Sequence, residues 1–283
     1  MTPVYAQRRF GYYFEIEITV KPGRRGICEV RENREGTLYS LVYGMLVAEN
    51  GDPIEKKPLF HFLPGTHSYS ISTVGCNFQC LHCQNYHISQ YPRHHDGRIT
   101  GALRSPAEVV NGAEATGCRS ISYTYVEPTI FYEFARDCCV LAHQRGLKNV
   151  FVSNGYMTPE VARDLAPLLD AINIDIKGFS DEFYKKVCKA RLPPVLDNVT
   201  LLHELGVWVE ITTLLIPGLN DTDEELRQVA RPHLQALMES TGETALLGVS
   251  RDNSAVYIDK VRSPLEFRLD PPVGAQRPFN CTA

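Results

Sequence analysis

Cys76, Cys80 and Cys83 lie within one short stretch, GCNFQCLHCQN, that runs from Gly75 to Asn85. Three thiols this close can hold something, and their number narrows what. A disulfide uses two and leaves one over, and a structural zinc takes four ligands. With nine cysteines in 283 residues, a C-x3-C-x2-C match is expected by chance on the order of 0.01 times per chain, so accident is a poor account of it. Soft thiolates select zinc, copper(I) or iron–sulfur clusters. Zinc would need a fourth ligand, which His82 or His87 could supply. A 4Fe–4S cluster held by three cysteines leaves one iron without a protein ligand, and an open iron can bind a substrate or cofactor.

The remaining cysteines point elsewhere. Cys118, Cys138, Cys139 and Cys188 fall singly or as an adjacent pair in stretches of helical character, and are expected to pack as small hydrophobes. Cys281, near the end, is expected to be exposed. The chain is 43% hydrophobic with a net charge of −4, which fits a globular core and, with no long basic run, argues against nucleic acid as the main partner. The opening MTPVYAQRRF has no apolar core of a signal peptide, and no run approaches the roughly 18 apolar residues of a membrane span. An odd cysteine count without a signal peptide favours a reduced, cytoplasmic setting.

A ligand loop needs a frame, and the chain downstream of Ser68 provides one. Strand-like runs at 68–74, 120–126, 148–153, 170–176 and 208–216 alternate with helical stretches. Thr158 followed by Pro159 reads as a helix cap and first turn, Ser180 as another cap, and Gly146 and Gly206 as helix ends. Asp221, three residues before Glu224, resembles a capping box, and Pro232 is expected to interrupt the helix that follows. Such alternation implies parallel βαβ units. No G-x-G-x-x-G follows a strand, so a closed or partial (β/α) barrel fits better than a dinucleotide fold. The cysteine loop follows the first strand of the series, at the end of the sheet where barrel sites sit. Upstream, GYYFEIEITV (11–20) and Thr37–Pro53 read as strands, the latter closing on an Asn-Gly-Asp-Pro turn. The expected organisation is an N-terminal β-rich lobe over 1–67, an α/β barrel over 68–241 and a divergent tail over 242–283.

The cysteine loop, with an aromatic side chain (His82) just before its last cysteine, resembles the signature of radical S-adenosylmethionine (SAM) enzymes. The run from REGTLYSLVYGMLVAENGDP through GCNFQCLHCQN resembles the radical SAM proteins of the AmmeMemoRadiSam system, relatives of pyruvate formate-lyase activating enzymes, as do YTYVEPTIFYEF, VSNGYM, NIDIKGF and LLIPGLND. The resemblance covers roughly Lys21 to Leu226. It implies a partial (β/α)6 radical SAM barrel and a 4Fe–4S cluster on Cys76, Cys80 and Cys83. The open iron would chelate SAM. Reductive cleavage would give methionine and a 5′-deoxyadenosyl radical that abstracts hydrogen. It also implies a reductant such as flavodoxin or ferredoxin and, by analogy with glycyl-radical activation, a protein substrate. Carried over position by position, Glu127 would meet the SAM amino group, Lys177 its carboxylate, and Asp175 the ribose or Lys177 itself. Asn154 would reach the ribose, Ile216 would pack on adenine, and His82 takes the aromatic position of the loop.

This chain departs from the family in three places. YVE at 125–127 keeps the acid of a Gly-Gly-Glu motif without its glycines. The N-terminal region carries Cys28 alone, so a second metal site there is not expected. From about Gly242 the family's last-strand pattern is replaced by ETALLGVSRDNSAVYIDKV. Two alternatives therefore stand beside the enzyme: a zinc- or cluster-binding protein without SAM chemistry, and a radical SAM protein inactivated by its altered C-terminus.

Overall fold

The computed structural model describes residues 20–278 apart from 217, 252, 253, 267 and 269. All but the last residue of the strand expected at 11–20, and Cys281, lie outside the described residues. The chain divides into two units, Met1–Leu214 and Leu215–Ala283.

The first unit is built on one six-stranded sheet. Its strands are β1 (Ala48–Pro53), β2 (His67–Ser72), β3 (Ser120–Tyr123), β4 (Lys148–Ser153), β5 (Ala171–Asp175) and β6 (Trp208–Thr212), in the order β6-β5-β4-β3-β2-β1. All five expected runs form strands, and all five pair in parallel. Helices α1 (Pro106–Ala115), α2 (Tyr132–Gln144), α3 (Pro159–Leu165) and α4 (Pro193–Glu204) fill the crossovers. Thr158 caps α3 as expected, and Ser180 caps the short turn at Asp181–Phe183. The sheet does not close, because β6 pairs with β5 alone and β1 with β2 alone. It is a partial barrel of five parallel strands, and among the described residues no sixth parallel strand joins it.

The sixth position is taken at the other edge by β1, which runs antiparallel to β2. This corrects the expected turn at Asn50–Pro53: these residues continue the ladder, with Asn50 opposite Ser70 and Pro53 opposite His67. Pro53 ends the strand, where its missing N–H costs nothing. The Asp52 carboxylate, a turn former by local rules, is instead held by Lys57 Nζ at 2.9 Å. The boundary expected at residue 67 therefore falls inside the sheet. Beyond β1, Ile54 and Leu59 pack with Val150 of β4 and Ala171 of β5, so this segment covers one face of the barrel.

The interior of the sheet is partly polar. Ser68, Ser70, Ser122, Asn149 and Asn173 are all buried, and most of their polar atoms are hydrogen-bonded, as when Asn149 donates to Cys139 O and Leu168 O at 3.0 Å, while Asn173 Oδ1 has no partner among the described residues. A hairpin of Arg31–Arg34 and Thr37–Ser40 packs beside this frame. Arg31 fixes it by donating to both Glu133 carboxylate oxygens at 2.7 Å and to Ile130 O at 3.1 Å.

The second unit holds α5 (Asp223–Thr241) and an antiparallel sheet of β7 (Ala245–Arg251), β8 (Ser254–Val261) and β9 (Gln276–Pro278). Two expectations are corrected here. The helix is capped one residue later than Asp221, by Thr222 and Glu225 in a reciprocal capping box, while Asp221 turns back to accept from Gly218 N at 2.7 Å. The helix also continues through Pro232 to a left-handed Gly242. Packing outweighs the lost hydrogen bond: Leu234, with Ala230 and Met238, sits on Ala245, Leu247 and Val261. The expected tail boundary at 241 thus lies within this unit, between a helix and the sheet it covers.

Candidate cofactor site

In a parallel sheet every strand delivers its following loop to the same edge. The cysteine loop follows β2, Thr124–Glu127 follows β3, Asn154 follows β4, Lys177 follows β5 and Leu214 follows β6. These residues line one cavity of about 490 Å³, together with Cys76, Cys80, Cys83, His82 and Asp175. A cavity of this size is typical for a cofactor or small ligand.

The cysteine loop is fixed at both ends. Gly75 adopts φ +96°, and a Cβ there would lie 2.6 Å from Val30 Cγ1 and 2.8 Å from Cys28 O, so the start of the loop requires glycine. Asn77 locks it to the end of β4, donating to Tyr156 O at 3.0 Å and accepting from Asn154 Nδ2 at 2.7 Å. Asn85 donates to Tyr125 O at 2.8 Å and Gln90 to Phe78 O at 3.0 Å. The middle of the loop lies on the helical turn Tyr184–Cys188, with Gln79 N donating to Cys188 O at 3.1 Å and Leu81 N to Val187 O at 3.0 Å.

Each thiol has a separate neighbour. Burial pushes Cys76 up to about 12. Cys80 is raised further, first by a hydrogen bond to the Cys188 thiol and then by burial. Cys83 Sγ lies 3.3 Å from Ser89 Oγ. Among the described residues no group of three or more His, Cys, Asp or Glu converges tightly enough for one metal ion. Soft thiolates are the donors of iron–sulfur clusters and of zinc alike. The three thiols on one cavity are a donor set that fits a 4Fe–4S cluster with one iron left open.

The other expected residues divide. Asp175 and Lys177 form the expected pair on one side of β5, with Nζ donating to Oδ2 at 2.6 Å. Burial alone would lower the Lys177 ammonium, but Asp175 and the nearby thiols raise it. His82 faces the cavity with neither ring nitrogen hydrogen-bonded among the described residues, and burial lowers its basicity. Asn154 lines the cavity, yet its amide already serves Asn77 and Tyr156. Glu127 is 2% exposed and its carboxylate is engaged within the protein. It accepts from Thr129 N at 3.2 Å, Thr129 Oγ1 at 2.9 Å, Ser153 Oγ at 2.9 Å and Asn154 N at 2.8 Å. Burial raises its pKa even so. In this structure the Glu127 carboxylate ties the ends of β3 and β4 together. Ile216 belongs to the second unit, where its N–H is held by Asn220 Oδ1 at 2.5 Å.

Sequence reasoning missed several groups. Asn77, Asn85 and Gln90 belong to the cysteine segment itself, and their amides were a readable signal of a side-chain-tethered loop. Tyr125 stands where the family pattern has glycine and adopts φ +65°, so its backbone keeps the left-handed shape that glycine would take freely. Its hydroxyl donates to Asp52 at 2.9 Å, and the nearly buried Lys57 ammonium lies 4.8 Å from its ring centroid. Nothing local announces that network.

Comparison with known proteins gives two non-equivalent matches. Residues 70–231 match the family model described as the radical SAM superfamily, and residues 222–283 match that of the bacterial transcriptional regulator IclR C-terminal region. An uncharacterized protein of Methanocaldococcus jannaschii is 49% identical over 73% of this chain and 60% of its own length. The pyruvate formate-lyase 1-activating enzyme of Escherichia coli is 20% identical over 55% of this chain and 63% of its own. The chain thus spans less than two thirds of either relative. A radical SAM methyltransferase structure from Sphaerobacter thermophilus aligns at 18% identity with a TM-score of 0.46, covering 60% of this chain and 53% of that one. With a family match over more than half its length, on the sheet and loop that form the cavity, this chain belongs to the radical SAM superfamily, whose cofactors are a 4Fe–4S cluster and SAM.

Proposed function

We propose that the chain is a radical SAM enzyme of the AmmeMemoRadiSam type, related to pyruvate formate-lyase activating enzymes. The observation that carries this reading is that three thiols and an aspartate–lysine pair line one cavity at the C-terminal edge of a parallel sheet. A 4Fe–4S cluster held there, once reduced by an external donor, would supply the electron for reductive cleavage of SAM and so the means to abstract hydrogen from a substrate. The chain's own work is holding and excluding. Cys76, Cys80 and Cys83 hold the cluster. Lys177 offers its ammonium to the SAM carboxylate, and Asp175 is left to the ribose. His82 lies beside the last cysteine as a flat surface for the adenosyl group. Asn154 positions the loop through Asn77, and Glu127 holds the strand ends beneath it.

The finer assignments rest on kinship. The activating-enzyme relative supports a protein substrate by analogy alone. A small one-electron carrier, a flavodoxin or ferredoxin, would supply the reductant, in a reducing cytoplasm. Among the described residues no helix is long and apolar enough to cross a membrane.

The test is anaerobic. The protein is reconstituted with iron and sulfide, reduced, given SAM and assayed for 5′-deoxyadenosine. Product formation dependent on Cys76, Cys80 and Cys83 supports the reading. Stoichiometric zinc with no sulfide would reject it in favour of a zinc protein.

A further inference from the structure

Leu81 stands between two of the loop's cysteines and turns away from the cavity. Cys80 and His82 on either side line the cavity, whereas Leu81 is 76% exposed, more than any other large hydrophobic side chain among the described residues. A single exposed leucine needs no explanation. What surrounds this one does. Its N–H donates to Val187 O at 3.0 Å, and Gln79 N donates to Cys188 O at 3.1 Å, so the loop lies along the turn Tyr184–Cys188. Helical spacing divides that turn into two faces. Tyr184, Val187 and Cys188 are buried, and Lys185, Lys186 and Lys189 are exposed. Lys186 precedes the residue to which Leu81 is bonded, and Lys189 follows the one bonded to Gln79.

The loop from Gly75 to Asn85 has no Asp, Glu, Lys or Arg, and the segment Asp181–Arg191 sets two acids against four bases. This face is therefore net positive on a chain whose net charge is −4. Lys185 pairs with Asp181 at 2.9 Å and Lys186 with Glu182 at 2.6 Å. Pairs this exposed contribute little and are screened by salt, so both ammonium groups stay available to a partner. Lys189 has no ion pair among the described residues. An apolar centre with a charged rim is the layout of a protein interface. Opposite charge steers association, and the net negative remainder of the chain repels an acidic partner from other approaches.

We propose that Leu81, Lys185, Lys186 and Lys189 form the docking face for an acidic one-electron carrier protein. A carrier seated on the solvent side of the cysteine loop is close to the cluster without entering the cofactor's space. One electron leaves the reduced carrier and enters the oxidised cluster, and no bond is made or broken. This rests on the cluster assignment in the reading above and names where its reductant binds.

The experiment uses the full-length chain, reconstituted anaerobically. It compares wild type, Lys186→Glu with Lys189→Glu, Leu81→Ser, and a control that joins Arg119→Glu with Arg145→Glu. The control reverses two exposed charges at the opposite end of the sheet. Iron and sulfide are counted first and should match wild type in every variant. Bleaching of the visible absorbance is then followed with dithionite, and with a photoreduced flavodoxin or ferredoxin. Binding of each oxidised carrier is measured by calorimetry at low and high salt. Dithionite needs no docking face and should reduce all four proteins at the same rate. The lysine variant should lose about tenfold or more in carrier-driven reduction and carrier affinity at low salt, with a smaller loss at high salt. Leu81→Ser should lose about tenfold at both, the weight of one leucine left in water. The control should behave as wild type. Three results would overturn the proposal: carrier-driven rates equal to wild type in the face variants, an equal loss in the control, or a wild type that dithionite reduces and neither carrier binds. Failure of the underlying reading looks different, because the reconstituted protein would then carry no sulfide and no visible absorbance to bleach.

Discussion

The two units use polar residues in opposite ways. In the first, polar and ionisable groups are drawn inward and to one edge. Glu127, Asn77, Asn154, Lys57 and the serines of β2 and β3 are all buried, and the cavity's potential ligands sit on the loop after β2 or just past the ends of the other strands. In the second, the helix and its antiparallel sheet enclose a small apolar core, and charges pair across the outer surface, as Arg262 does with Asp270 at 3.2 Å and Arg227 with Glu224 at 3.4 Å. Buried polar groups cost free energy unless each is satisfied. A unit that carries many of them on one edge is shaped by something other than stability alone. The comparison therefore assigns the chemistry to the first unit.

The sharpest way to break that assignment is at the thiols. Cys76→Ala, Cys80→Ala or Cys83→Ala should each abolish iron and sulfide binding, read by metal and sulfide analysis and by the visible spectrum. A variant that still takes up about four irons and four sulfides, the content of one cubane, would remove its cysteine from the site.

Asp52 tests whether the buried polar network is structural. Asp52→Asn leaves Lys57, 2% exposed, without its anion, and removing one partner of a buried pair costs about 3–5 kcal/mol. The urea midpoint should fall accordingly. The wild type carries a matching acid signature. Burial by itself would raise the Asp52 carboxyl, but the hydrogen bonds from Lys57 and Tyr125 outweigh it and hold the group down at about 2. A carboxyl lowered in the folded state contributes stability above its unfolded value. Roughly 2 kcal/mol should therefore be lost as pH falls from about 4 to about 2, and Asp52→Asn should lack that part of the slope.

Lys177→Ala separates cofactor binding from cluster binding. Loss of a charge-assisted contact to a carboxylate, worth about 1.5–3 kcal/mol, should weaken SAM binding by roughly 10- to 150-fold. Iron content should not change. SAM affinity equal to wild type in a calorimetric titration would show that the end of β5 does not meet the cofactor.

The smallest effect belongs to the other unit. Leu234→Ala removes a central side chain of the α5–β7–β8 core and should destabilise that unit by about 2 kcal/mol, the low end for a leucine truncation. The iron content of the reconstituted protein should stay at the wild-type value. A fall in iron would mean that the second unit supports the site, and the contrast between the two units would fail.

What was legible in the sequence was local. The five parallel strands, the caps at Thr158 and Ser180 and the C-x3-C-x2-C loop were readable because alternation, capping and ligand spacing are properties of a few adjacent residues. The Asp175–Lys177 pair was readable for the same reason, since residues two apart in a strand share a side. Tertiary structure alone decided the rest. It turned Asn50–Pro53 from a turn into an edge strand, because a long-range ladder with β2 and the buried Lys57 outweighed turn chemistry. It carried α5 through Pro232, because packing on β7 and β8 outweighed one lost hydrogen bond. It filled the Glu127 carboxylate with partners from the end of the next strand. It set the Tyr184–Cys188 turn against the cysteine loop through backbone bonds between distant segments, a proximity that no spacing along the chain encodes.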